Sequence, residues 1–327
     1  MNVATKQRQR SKVFAILGLV GLLILAACGG SDSTSKSSAD KISMAAPPID
    51  TCSELFTADA MGYFKKHGLD VDLKMLASGP AISAGVLGGS LDGGCSSVGS
   101  LGGAVAKGLP LRVIAPGAVY SSEAPTSQLV VAAGSDIKTA SDLAGKTIAV
   151  SGLTTIAETA TREWLDDNGG RSTAAKFIEM THPQMAAALK AGRVDAALLV
   201  EPSLTTAETA GTVKVIANPF DSVGKNFMLT VIFSSSELVK ERPQVVTKLQ
   251  LALKEARSFS VAHPDRTAQI LAKYTDLPTS TAESMTRASW PITFDIASLQ
   301  PPLDNALRYK VLSKPLKAEA MVADGAQ

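Results

Sequence analysis

Short apolar runs alternate with helical patterns along most of this chain, and that alternation leaves few architectures open. Residues 42–46 read as a strand, and 55–67 as a helix with Leu55, Met61 and Phe64 inward and Gly68 closing it. Leu69, Val71, Leu73 and Met75 then alternate with Asp70, Asp72 and Lys74. Strict alternation marks a strand with one solvated face, which belongs at a sheet edge. Ser78-Gly79-Pro80 opens a helix, 91–95 gives a short strand, 97–107 a Gly-rich helix stopped by Gly108, and 111–119 a fourth strand. Strand and helix in turn predict βαβ units around a largely parallel sheet.

A second block of the same kind begins near Asp136, with strands at 147–150, 194–200 and 213–217. Thr155-Ile156-Ala157-Glu158 fits a capping box, with Glu158 placed to reach back to the N-cap amide of a helix running to about Asn168. Thr181 to Gln184 fits a second box. A strand at 227–233 follows, and beyond it the pattern is almost wholly helical, chiefly 243–262 and 264–274. Those helices need a sheet to cover, and the first block lacks partners. The expectation is an α/β fold of two lobes, each a mostly parallel sheet flanked by helices. Lobe one takes 41–134 and 230–327, and lobe two takes 135–229. The crossings fall at 128–134 and 228–234. No repeat of solenoid length is visible.

The amino terminus reads differently. Lys6, Arg8, Arg10 and Lys12 precede an apolar run from Val13 to Ala27, and a Ser-rich tract follows to about Asp40. A basic start, a short apolar core and small residues at the cut describe a secretory signal. Leu25-Ala26-Ala27-Cys28 resembles a lipobox, whose cysteine is lipidated and becomes the new terminus. The run of about 15 residues is short of the roughly 20 that span a bilayer. Residues 1–27 are therefore expected to be a leader and 28–40 a tether, anchoring an exported protein to a bacterial membrane through Cys28. Loss of the four basic residues takes the formal charge from +2 to −2, so no basic patch argues for nucleic acid. Aromatic residues make up only 5% of the chain, which suits helices packed closely on sheets better than an aromatic carbohydrate groove.

The stretch from Leu55 to Leu73, with Gly62-Tyr63-Phe64-Lys65-Lys66 and Gly68-Leu69-Asp70-Val71, resembles the opening of ABC-importer solute-binding proteins of the nitrate/sulfonate/taurine/thiamine-precursor group. Gly88-Gly89-Ser90-Leu91-Asp92, Asp142-Leu143-Ala144-Gly145-Lys146-Thr147, Gly192-Arg193-Val194-Asp195 and Glu201-Pro202 follow in the order of that group. The resemblance implies a type II periplasmic-binding-protein-like fold. It also implies a small polar organic ligand, sulfonate- or taurine-like or a thiamine-type pyrimidine, passed to an ABC permease and ATPase. A monomer without cofactor is expected. Thiamine-pyrimidine synthases share the fold, but they carry a Cys-rich motif that this chain lacks. A ligand-sensing lipoprotein without transport is the third reading.

In open α/β sheets ligands bind beyond the carboxyl ends of strands, against the unpaired N–H groups of the next helix. That rule selects Asp50, Thr51, Ser96, Ser97 and Tyr120 in lobe one, and Ser151, Thr154, Thr155 and Glu201 in lobe two. Ser53, Ser78, Gly79 and the Thr181–His182 turn lie at further strand ends. Ser and Thr also favour caps and turns anywhere. None of these segments carries Arg or Lys, so no guanidinium fork awaits a carboxylate or phosphate. Asp50, Glu123 and Glu201, facing the cleft, would favour an amine or zwitterion over a bare oxyanion.

Catalytic and metal patterns are weak. Gly145-Lys146-Thr147 ends like a P-loop, but Ala140 stands where the first Gly belongs and a strand follows. His67, His182 and His263 lack metal-ligand spacing. No Gly-x-Ser-x-Gly elbow occurs. Cys52 and Cys95 fall just past the first and third strands, which neighbour each other in sheets of the resembled group. A disulfide and two buried thiols are both compatible with that placement.

Overall fold

The computed structural model describes residues 39–326, so the leader and Cys28 lie outside the described residues. Two five-stranded sheets form the two lobes. The first contains β1 (Asp40–Ala46), β2 (Leu69–Met75), β3 (Gly93–Ser97) and β4 (Leu111–Pro116). A short strand, β5 (Val119–Ser121), then leads to β6 (Ser127–Ala132), β7 (Thr147–Val150), β8 (Lys176–Glu179), β9 (Ala196–Val200) and β10 (Val213–Ala217). Strand β11 (Asn226–Met228) returns the chain to β12 (Thr230–Ser235).

The first sheet has the order β2-β1-β3-β12-β4 and the second β10-β6-β9-β7-β8. In the first, β1 runs parallel to β2 and β3, while β12 is antiparallel to both its neighbours. In the second, β7, β8 and β9 are parallel and β6 is antiparallel to β9 and β10. The alternating strand 69–75 is indeed the edge strand β2, its Asp70, Asp72 and Lys74 positions solvated.

Helices cover both faces of each sheet. Leu55 and Phe56 of the helix Ser53–Ala60 pack with Leu249 and Leu253 of the helix Pro243–Ala262 on one face of the first sheet. Ile82, Leu101 and Leu303 cover the other. The late helices thus return to the first sheet. Their apolar faces are buried there, each full side chain contributing about 2 kcal/mol.

The crossings lie elsewhere than the sequence predicts. Residues 128–134 are mostly β6, whose Leu129, Val130 and Val131 are wholly buried in the middle of the second sheet. Residues 228–234 hold only the last residue of β11, Met228, then Leu229 and the first five residues of β12. The actual crossings are β5 and β11, which pair antiparallel as a two-stranded ribbon between the lobes. Lobe two therefore begins before Ser127 rather than at 135. The expected helix 55–67 is also broken, because Gly62 adopts a left-handed conformation at φ +71° between Ser53–Ala60 and Tyr63–Lys66.

Candidate functional site

The carboxyl ends of the parallel strands in the two sheets face each other across a cleft. Its inner chamber, about 90 Å³, is walled by Thr51, Ser96 and Ser97 from lobe one and by Ser127, Ser151 and Thr155 from lobe two. An outer chamber of about 670 Å³ continues from it, sharing Pro47, Ile49, Ala77, Ser151 and His182. Met75, Leu76, Met180 and Pro183 make most of the outer wall apolar.

Four helices begin at the cleft: Gly79–Leu87 and Val98–Ala106 in lobe one, Ile156–Asp167 and His182–Lys190 in lobe two. Their N-cap residues Ser78, Ser97, Thr155 and Thr181 are all in extended conformation, and none accepts a side-chain bond from the turn that follows. Ser78, Ser97, Thr155 and His182 all line the inner chamber. First-turn amides and the positive ends of the helix dipoles thus converge there. No charged side chain lines that chamber, and Glu179 is the sole charged residue of the outer one.

Sequence reasoning expected the Thr155 helix to carry a capping box. Instead the Glu158 carboxylate accepts from the Thr154 amide at 2.7 Å, one residue further back, and the Thr155 hydroxyl donates to the Gly152 carbonyl at 2.7 Å. Thr154 has φ +62°, and this left-handed turn puts it on the exposed surface outside the cleft.

Of the remaining expected residues, Thr51, Ser96, Ser97, Ser151 and Thr155 come together at the chamber, while Asp50, Tyr120 and Glu201 do not. Asp50 is wholly buried with its oxygens already occupied. Oδ1 accepts from Arg287 Nε at 3.1 Å and Nη2 at 2.9 Å, and Oδ2 accepts from the Ala288 amide at 2.5 Å. Glu201 points away from the chamber, accepting from the Thr205 amide at 3.1 Å, the Thr205 hydroxyl at 2.9 Å and the Thr286 amide at 3.3 Å. Burial pushes its carboxyl up to about 7. Tyr120 lies within the ribbon against Phe220 and Phe227, its hydroxyl donating to Asp221 Oδ1 at 2.8 Å. Glu123 is exposed and outside both chambers. The acidic groups that favoured a cationic ligand are therefore absent from the walls, and the electrostatic expectation reverses.

Ser127 and Thr230 also line the chamber, and the strand-end rule missed both. Each opens an antiparallel strand, so its first residue lies beside the last residues of parallel neighbours: Ser127 opposite Val200, Thr230 opposite Ser97. The Thr230 hydroxyl donates to the Thr51 carbonyl at 2.8 Å. The Ser127 hydroxyl, buried, and His182 Nδ1 have no partner. Burial holds the His182 imidazole down to about 4 and therefore neutral.

Cys52, at the chamber wall in the turn after β1, is disulfide-bonded to Cys95 of β3. Among the described residues no group of three or more His, Cys, Asp or Glu is placed to hold a metal ion, and no helix is long and apolar enough to cross a membrane.

Residues 51–267 match the model of a family described as NMT1/THI5 like. The chain belongs to the NMT1/THI5-like family. A Brucella abortus protein named as a binding protein is 28% identical over 219 residues, the match spanning 66% of each chain. The alkanesulfonate-binding protein SsuA of Xanthomonas axonopodis pv. citri, solved with MOPS bound, superposes with a TM-score of 0.72 at 20% identity over 87% of this chain and 98% of its own. The nitrate-binding protein NrtA of Synechocystis PCC 6803 gives 0.75 at 15% identity over 86% and 84%. The desulfurization enzyme DszB gives 0.65 at 17% identity over 88% and 97%. At these identities the solved structures share the periplasmic-binding-protein-like fold with this NMT1/THI5-like chain.

Proposed function

We propose that this protein is the solute-binding lipoprotein of an ABC importer and that it captures a small organic oxyanion of the sulfonate type. One observation carries the reading: four helix N-termini and a ring of hydroxyls surround an interlobe chamber lined by no charged side chain. Such a chamber supplies first-turn amide donors and a positive potential, which suits an anion whose charge is spread over several oxygens. Thr51, Ser96, Ser97, Ser127, Ser151 and Thr155 are the proposed contacts. The alkanesulfonate- and nitrate-binding neighbours, both anion binders by name, support the same class.

Binding rather than catalysis is supported by the chamber's chemistry. Its one cysteine is held in a disulfide, and the inner wall sets no carboxylate or lysine beside His182, Glu179 lining the outer chamber alone. The disulfide also suits an oxidising, extracytoplasmic location. Attachment through Cys28 and delivery to a permease and ATPase complete the proposal. Calorimetric titration of the purified protein with ethanesulfonate, taurine, nitrate, choline and an aminopyrimethanol tests the ligand class. Saturable binding of sulfonates with none of choline is expected, and preference for choline refutes the reading. Cys28→Ser should release the protein from membranes with its fold unchanged.

A further inference from the structure

The hydroxyls and imidazole around the cleft are not equivalent. Ser96 Oγ donates to the Ser97 carbonyl at 3.3 Å, Thr155 Oγ1 to Gly152 and Thr230 Oγ1 to Thr51. These donors are used within the protein. Among the side chains of the lining residues, Ser127 Oγ and His182 Nδ1 are the two atoms that are buried and have no hydrogen-bond partner. Leaving a polar atom in that condition costs about 1–3 kcal/mol, so an orphan on a residue that lines a cavity marks a place where a bound ligand supplies the partner. Their positions differ. Ser127 belongs to the inner chamber alone, whereas His182 lies on the wall shared by the inner and outer chambers.

Resting on the oxyanion reading above, we propose that His182 is a specificity-determining residue whose Nδ1 pairs with a second, uncharged polar group of the ligand. The preferred ligand is then bifunctional: an oxyanion beside Ser127 in the inner chamber, and a hydroxyl or equivalent group at the neck. His182 is not the charge partner of the anion, because burial keeps its ring neutral. A neutral imidazole offers one donor and one acceptor nitrogen, and a hydroxyl satisfies Nδ1 in either tautomer. A plain alkyl chain at the neck leaves Nδ1 unpaired, so it is selected against. This is the asymmetry by which a polar site rejects an analogue lacking its hydrogen-bonding group.

The test uses matched probes on the purified protein: ethanesulfonate against 2-hydroxyethanesulfonate, and propanesulfonate against 3-hydroxypropanesulfonate, by calorimetry. At least one hydroxylated member is expected to bind about tenfold more tightly than its plain counterpart. In His182→Phe, which keeps a ring of similar size without nitrogens, that preference should fall to within about twofold. His182→Gln, which keeps a donor and an acceptor, should retain most of the preference and also covers the case of a misfolded Phe variant. Equal affinities within both pairs for the unaltered protein overturn the role of His182 and leave the oxyanion reading standing. A preference that persists in His182→Phe does the same. Absence of binding by all four sulfonates overturns the oxyanion reading and this inference with it.

Discussion

A Cβ built on Gly79 would stand 2.2 Å from Ser96 Oγ and 2.9 Å from Ser96 Cβ, so the wall of the inner chamber closes only because residue 79 has no side chain. Gly79→Ala should drive Ser96 into the chamber. Titration is expected to show at least a tenfold loss of sulfonate affinity with circular dichroism unchanged, and unaltered affinity would refute the placement. Glu201 yields a prediction in pH. Its carboxyl rises from about 4.5 unfolded to about 7 folded, so below 4.5 both states are protonated and its stabilising effect is complete. Between 4.5 and 7 the unfolded chain ionises first and stability falls, by on the order of 3 kcal/mol in all. Thermal unfolding of Glu201→Gln should lack that part of the decline. If the two proteins have parallel profiles from pH 4.5 to 8, the burial argument fails.

The residue scale also shows what a sequence exposes and what it conceals. Ser96, Ser97, Ser151 and Thr155 were legible because each follows an apolar run and precedes a helix, a purely local signal. Ser127 and Thr230 were not, since their relevance depends on the direction of a strand in its sheet. Asp50 and Glu201 occupy positions of the right kind. Their carboxylates are taken up by Arg287, Ala288, Thr205 and Thr286, partners between four and 238 residues away, which no local pattern specifies.

Among elements, the disulfide has the largest predicted effect. It ties the turn after β1 to β3 across a sequence separation of 43, and restricting a loop of that length is worth about 4 kcal/mol in the chain-entropy view. Cys52→Ala/Cys95→Ala should therefore unfold in urea with a stability lower by about 4 kcal/mol, the packing of Leu55 and Phe56 surviving. An unchanged midpoint would show that the bridge contributes nothing. The sequence left bridge and thiols equally open, because the choice turns on a Cα separation of 6.0 Å between the turn after β1 and the adjacent strand β3. The helix Pro243–Ala262, by contrast, was legible to the residue, bounded by prolines at 243 and 264 with a helical apolar stripe between. The crossings were misplaced because length and hydrophobicity made β6 and β12 look like continuous connecting strands. The ribbon strands that actually cross are three residues each and too short for periodicity to reveal.

For the molecule as a whole, the lobes are joined covalently by that ribbon and tied by side chains at the end of the helix Gln300–Arg308. Glu163 of the helix Ile156–Asp167 accepts from Asn305 Nδ2 at 2.6 Å and pairs with Arg308, which also reaches Asp167 at 3.0 Å. Tyr309 donates to Asp166 at 2.9 Å. Asn305, Arg308 and Tyr309 belong to lobe one and their acceptors to lobe two, so these bonds exist only while the lobes are together. A ligand touching Ser97 and Ser127 bridges the same two bodies, and its affinity includes whatever free energy closure requires. Glu163→Ala should shift the balance toward separation without touching the chamber. The half-exposed Arg308 contributes little, and most of the effect comes from the buried Asn305 bond, about 1 kcal/mol. Sulfonate affinity should then fall about fivefold, mainly through faster dissociation. Solution scattering should give a larger radius of gyration for the ligand-free variant, converging on the unaltered protein at saturation. If ligand leaves the radius of both proteins unchanged, the lobes do not move and the affinity change needs another cause.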